Sequence, residues 1–284
     1  MVKLAFTDKV RQNLKKLPSL PFVVQKVIET LNSPKSSISS VAEVISKDQY
    51  LTSVMLKIAN SAYYGYPRRI ETVKQAIIIM GFKSVSDILL TISVLDIFNK
   101  SKIPGFNIVS FWEHAIGTAV AAKIIGKRVG YVPAEELFTP GLLHDLGKVV
   151  MSSFFMEDYR KVIKDAVDGK KWIGKAESDI LETTHATIGK IVAESWNLPE
   201  KIVAAIWKHH RPMQEKKYTR LVSIVHVADV LSWALKIGSG GGSVPPKLDP
   251  EAWSLSGLTP KTTKGLAEAI KRDFNSAKSI FSIR

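Results

Sequence analysis

The sequence predicts an all-α protein, a helical bundle in which an N-terminal helical subdomain packs on a second helical subdomain. Two observations carry this. Apolar residues recur at helix spacing along the chain. Capping residues, glycines and prolines divide them into short segments joined by tight turns, the pattern of a compact bundle. With 45% hydrophobic and 23% charged residues over 284, the composition is that of a globular chain with a sizeable core, not of a disordered one.

The elements follow in order. Val23, Val27, Ile28 and Leu31 share one helix face, and Pro34 stops that segment. Ser40 is read as the cap of a short helix over 41–46, and Asp48 as the cap of the next, about 50–59, with Leu51, Val54, Met55 and Ile58 on one face. Thr72 opens a helix over 73–80, and Gly81 stands where a left-handed terminating residue belongs. The run Ile77-Ile78-Ile79 has β-branched character, but its flanks favour helix. Ser84 caps a segment over 85–98.

Pro104-Gly105 marks a break, so the expected subdomains are 1–105 and 106–284. A long helix follows over about 109–128, then helices near 159–168, 172–182, 187–196, 199–209 and 221–235. Gly238-Ser239-Gly240-Gly241-Gly242-Ser243 reads as a flexible inserted loop, and an amphipathic helix over 260–281 closes the chain.

Composition limits the chemistry. The chain has no cysteine, so neither a disulfide framework nor a thiolate nucleophile or ligand is available. The N-terminus lacks the apolar core of a signal peptide, and no unbroken apolar run approaches the roughly 20 residues of a membrane span. The expected compartment is therefore the cytoplasm, without membrane association. A formal charge of +14 favours anionic partners, but the basic residues are scattered over the surface and form no nucleic-acid-binding tract. The helix pair over 41–59 has the outline of a helix-turn-helix. Tyr50, Leu51, Val54 and Met55 make its second helix core rather than a base-reading surface, so nucleic acid is not the expected partner.

All six histidines lie in the second half: His114, His144, His185, His209, His210 and His226. His144-Asp145 interrupts the apolar stretch Leu142-Leu143-His144-Asp145-Leu146. Burying both there costs several kcal/mol unless they are paired or bound to a metal. Asp229 stands in a similar apolar stretch, one helical turn after His226. His226 is read as a satisfied core histidine that can support a neighbouring ligand. His114, His144, Asp145, His185, His209, His210 and Asp229 form a candidate set for two divalent transition-metal ions (iron, manganese or zinc), since a bundle gathers ligands from distant helices. Two adjacent ions suit phosphoryl chemistry.

This ordered series, His, His-Asp, His, His-His, Asp, resembles the HD superfamily of metal-dependent phosphohydrolases. Phe111-Trp112-Glu113-His114, Gly141-Leu142-Leu143-His144-Asp145-Leu146-Gly147-Lys148, His185-Ala186-Thr187-Ile188-Gly189, Trp196-Asn197-Leu198-Pro199 and Lys208-His209-His210-Arg211-Pro212 are similar to its HDOD branch. In the first half, Leu17-Pro18-Ser19-Leu20-Pro21 and Asn60-Ser61-Ala62-Tyr63-Tyr64-Gly65 resemble the opening and the Asn-Ser-Ala signature of that branch. The resemblance covers about residues 14–236. It implies an all-helical bacterial regulatory module acting through a signalling protein partner or an anionic or nucleotide ligand. Many members of the branch have lost the metal ligands; this chain keeps the full series. The HD-GYP phosphodiesterases, relatives that cleave cyclic di-GMP, carry Gly-Tyr-Pro just after the paired histidines. Here Arg211-Pro212-Met213 follows, Gly65-Tyr66-Pro67 lies in the other half, and Ser110 stands where such relatives can have a glutamate. The resemblance thus points away from cyclic di-GMP hydrolysis. The alternative function is a phosphohydrolase using Asp145, with Lys148 or Arg211 neutralising a phosphate; the plainer reading of Lys148 is a lysine at a helix end.

Overall fold

The computed structural model describes residues 5–31, 37–61, 65–98 and 105–281. Pro34, Ala62–Tyr64 and Pro104 lie outside them, so the sequence readings placed there are not taken further. Among the described residues the protein is helical, with no β-strand. Its contacts form two compact units. Among the described residues, one takes those up to Pro18 and Phe98–Phe274; the other takes Ser19–Ile97 and 275–281. The first helix, α1 (Phe6–Asn13), therefore belongs with the histidine-bearing residues and not with 19–97, because Phe6 stacks on Phe155 with ring centroids 5.3 Å apart.

The unit formed by 19–97 contains α2 (Phe22–Leu31), α3 (Ile38–Ser46), α4 (Gln49–Ala59) and most of α5 (Val73–Phe98). Val27, Leu51, Met55 and Ile58 are buried, as their spacing requires, together with Val24, Val41 and Ile45, whereas Val23, Ile28 and Val54 on the expected faces are half-buried. Asp48 caps α4 by accepting from the Leu51 amide. The cap of α3 is Ser37 rather than Ser40, which is the reciprocal partner in a capping box. Gly81 (φ 82°, ψ 155°) breaks α5 into two helices. The isoleucine run is helical, with Ile77 buried and Ile78 and Ile79 exposed. Asn60 has a definite role: its side-chain amide donates to the Ile70 carbonyl and accepts from the Ile70 amide, both at 2.7 Å, pinning the segment that leads into α5.

The larger unit is built on α6 (Ile108–Arg128), capped by Asn107 and buried along most of its length. Around it lie α7 (Phe138–Leu143), α8 (Leu146–Phe154), α9 (Met156–Asp168), α10 (Ile173–Leu181), α11 (His185–Ser195), α12 (Glu200–Lys208), α13 (Thr219–Ala234) and α14 (Pro250–Ser256). The closing segment is two helices, α15 (Pro260–Thr263) and α16 (Leu266–Phe281). Between them Gly265 has φ +64°, and Arg128 donates to the Thr262, Lys264 and Gly265 carbonyls.

By length and composition α5 and α6 could each cross a membrane, although polar residues interrupt the apolar run of both. Their apolarity has a local cause: 56% and 67% of their most apolar windows are buried inside the protein.

Candidate metal centre

Glycines let the helices that carry the candidate ligands approach closely. A Cβ on Gly147 would lie 1.9 Å from the His185 carbonyl oxygen and 2.8 Å from the Gly189 amide. Only glycine allows the start of α8 to cross α11 at that distance. Gly141 does the same where α7 meets Ala119 of α6, with a Cβ contact at 2.8 Å. These crossings bring the turn between α7 and α8, which carries His144 and Asp145, to His114 on α6 and His185 at the first position of α11. His209 and His210 follow the end of α12, and Asp229 is on α13.

The seven side chains converge in two groups. His114, His144 and Asp229 form one; Asp145, His185, His209 and His210 form the other. Within each, the donor atoms lie within 4.8 Å of one another. His114 Nε2 is 3.0 Å from Asp229 Oδ1, and His144 Nε2 is 3.8 Å from the same oxygen. Asp145 faces both groups: Oδ2 is 3.3 Å from His144 Nε2, and Oδ1 is 3.3 Å from His185 Nε2 and 3.6 Å from His209 Nε2.

Hydrogen bonds on the far side set which ring nitrogens point inward. His144 Nδ1 donates to the Gly141 carbonyl (2.7 Å), and His209 Nδ1 donates to the Ile206 carbonyl (2.9 Å). His185 Nδ1 donates to Glu177 Oε2 (2.6 Å). A carbonyl or carboxylate only accepts, so Nδ1 carries the proton in each case and Nε2 presents a lone pair to the cluster. His185 Nε2 and His210 Nε2 are 3.0 Å apart, a separation at which two lone pairs need a shared proton or a cation.

Glu177, buried in α10, is a functional residue that the sequence reading missed. It also accepts from the His185 amide (2.8 Å) and from the Tyr159 hydroxyl (3.2 Å), so it fixes both the backbone and the ring of His185. Its one sequence signal is a carboxylate on the apolar stripe Ile173, Ala176, Glu177, Leu181. His226 is a satisfied core residue: Nδ1 donates to the His209 carbonyl (2.7 Å) and Nε2 accepts from the Asp249 amide (2.9 Å). It thereby positions the backbone of His209. Lys148 is not at an exposed helix end. Its side chain is buried, with Nζ 2.7 Å from Asp145 Oδ2. The glycine-rich loop is not a free insertion either. The Ser239 amide donates to the Ser110 carbonyl (3.0 Å), and a Cβ on Gly240 would lie 2.9 Å from Lys148 Nζ and 3.3 Å from Asp145 Oδ2.

The electrostatics favour a cation. Burial works to raise the Asp145 pKa, but the neighbouring His144, the Lys148 ammonium and His209 outweigh it and hold the carboxyl well below its ordinary range. Burial likewise opposes ionisation of Asp229, yet hydrogen bonding from His114 and the proximity of His144 bring it down to about 2. Burial, aided by His209, His185 and Lys148, pushes His210 well below its usual value, so it is neutral at pH 7.

Four buried atoms of the cluster have no hydrogen-bond partner among the described residues: His114 Nδ1, His144 Nε2, Asp145 Oδ1 and His210 Nδ1. At about 1–3 kcal/mol each, their desolvation would cost about 4–12 kcal/mol, comparable with the stability of a whole domain. Inward lone pairs and two carboxylates fit divalent cations, and a nitrogen and oxygen donor set without thiolate suits zinc, manganese or iron.

The HDOD domain family model matches residues 17–212. An HDOD domain protein of unknown function from Geobacter sulfurreducens is 25% identical and superposes with a TM-score of 0.81, covering 96% of this chain and 97% of that one. Two further structures share the fold. One, from Shewanella amazonensis SB2B and provisionally described as a phosphohydrolase, is 22% identical with a TM-score of 0.73 over 96% and 97% of the two chains. The other, from Marinobacter aquaeolei VT8 and provisionally described as a signal transduction protein, is 19% identical with a TM-score of 0.77 over 100% of this chain and 62% of its own. The chain spans less than half the length of the curated relatives it matches. With the family model matching more than half of its length, the chain belongs to the HDOD family.

Proposed function

We propose that the chain is a regulatory HDOD module whose histidine and aspartate cluster binds divalent transition metal, with room for two ions, and which transmits a signal through a protein partner or an anionic ligand in the cytoplasm. The carrying observation is the division of Asp145: one carboxylate oxygen faces the His114, His144 and Asp229 group, the other His185 and His209. When bound, the metal would neutralise the converging charge and polarise a phosphoryl oxygen. Glu177 and the carbonyls of Gly141 and Ile206 orient three imidazoles, while Lys148 holds one oxygen of Asp145.

A second reading, a metal-dependent phosphohydrolase, is favoured by the completeness of the ligand series and by the Lys148 ammonium beside Asp145, which adds positive charge to the centre. Phosphatase and phosphodiesterase assays on the wild type and Asp145→Ala, with and without added manganese, separate the readings. A regulatory module binds metal without turnover. Metal-dependent turnover that disappears in Asp145→Ala would establish the enzyme instead.

A further inference from the structure

The cluster opens to the surface at one ligand. The side chains of His114, His144, Asp145, His185, His209 and Asp229 are at most 2% exposed, whereas that of His210 is 11% exposed. Beside Lys148 and Asp145, the backbone at Gly240 covers the centre. His210 instead forms part of the wall of a cleft of about 710 Å³, within the range of small-molecule sites.

The lining of this cleft has two kinds of recognition chemistry. Trp172 stands edge-on to His210, with ring centroids 4.7 Å apart, and is half-buried, so part of its ring system faces the cleft. Arg211, next in sequence to the ligand pair, is exposed and has no carboxylate partner among the described residues. Lys208 and Lys175 add positive charge; Lys208 donates to Gln214 (3.2 Å), while Lys175 is paired with Asp179. The cleft's own carboxylate is Glu182. A guanidinium with unused donors suits a phosphate, and an indole face suits a flat heteroaromatic ring.

We propose that this cleft is the ligand site of the module and takes a nucleoside monophosphate, with the phosphate between Arg211 and His210 and the base against Trp172. The proposal rests on the metal-centre reading only for the part of the phosphate that faces His210. It gives the glycine-rich loop a role as the wall that closes the opposite face.

Isothermal titration calorimetry on the full chain, metal-loaded and chelated, with AMP, GMP, adenosine and inorganic phosphate tests it. AMP or GMP should bind at least about tenfold more tightly than adenosine or phosphate, the effect of one charge-assisted interaction. Arg211→Ala, at an exposed position, should remove that advantage while leaving adenosine binding unchanged. Trp172→Leu should weaken nucleotide and adenosine but not phosphate. Absence of nucleotide binding, phosphate binding as tightly as AMP and GMP, or nucleotide affinity unchanged in both variants overturns the proposal. Elemental analysis of the same samples keeps the two readings apart. Metal without nucleotide binding overturns the cleft alone; nucleotide binding by protein that takes up no metal overturns the metal centre alone.

Discussion

Replacing Gly147 by alanine puts a methyl group into the backbone of α11. The added Cβ would lie 1.9 Å from the His185 carbonyl oxygen, against 3.4 Å for ordinary contact, so α8 and α11 must separate by about 1.5 Å. The obstructing atoms are backbone, which no rotamer change can move aside. Overpacking of this kind costs about 1–3 kcal/mol and sometimes more. A cost near 3 kcal/mol lowers the melting temperature by roughly 6–12 °C in a domain of this size. The same separation moves Asp145 from His185, so manganese affinity should fall as well. Gly189→Ala, on the other side of the same crossing, is the milder comparison: its Cβ meets the Ile206 Cγ2 methyl at 2.6 Å and the Gly147 amide at 3.0 Å, both longer than the 1.9 Å contact at Gly147. Thermal denaturation and manganese titration of both variants provide the comparison. If Gly147→Ala melts like the wild type and binds manganese equally well, the argument that this helix crossing builds the centre is wrong.

Three further outcomes are expected. Glu177→Gln keeps an acceptor but loses the charge facing His185 Nδ1, and metal affinity measured by competition with a chromophoric chelator should drop about 10- to 100-fold with the fold intact. Chelation should lower the melting temperature, and readdition of manganese at about 100 times its Kd should restore about 2.7 kcal/mol. The chelated protein should also lose stability between about pH 7 and 5. Burial lowers the pKa values of His210 and His226. The unfolded chain therefore takes up protons below about pH 6.5 more readily than the folded chain, and stability falls as the pH does. Asp145 and Asp229 add a loss only in stronger acid, as pH falls through their depressed values. Melting curves of the chelated protein across this range would contradict the argument if the midpoint stayed constant or rose on acidification.

The sequence exposes the candidate centre because the residues that form it break apolar periodicity. His144, Asp145 and Asp229 stand where aliphatic residues are otherwise required, and the same surroundings mark His114 on α6. Glu177 escaped because a single glutamate on a nine-residue helix reads as an ordinary solvated charge; its burial depends on Tyr159 and His185, distant in sequence. Lys148 was misread for the same reason, since lysine near a helix start is usually exposed. The glycine-rich loop looked flexible because its composition says nothing of what it touches. Close contacts require the glycines: at Gly238, φ is +63° and a Cβ would lie 2.2 Å from the Ser110 carbonyl oxygen. Helix ends were legible to within a few residues where a side chain caps them, as at Asp48. They were less legible where two serines three residues apart compete, as at Ser37 and Ser40.

The most direct measurement is an anomalous difference map from crystals grown with manganese or iron. Peaks on both sides of the Asp145 carboxylate, one beside His114, His144 and Asp229 and the other beside His185, His209 and His210, are the expected result. A featureless map at full occupancy of the protein, with the seven side chains neutralised by protons and ordered water alone, would contradict it.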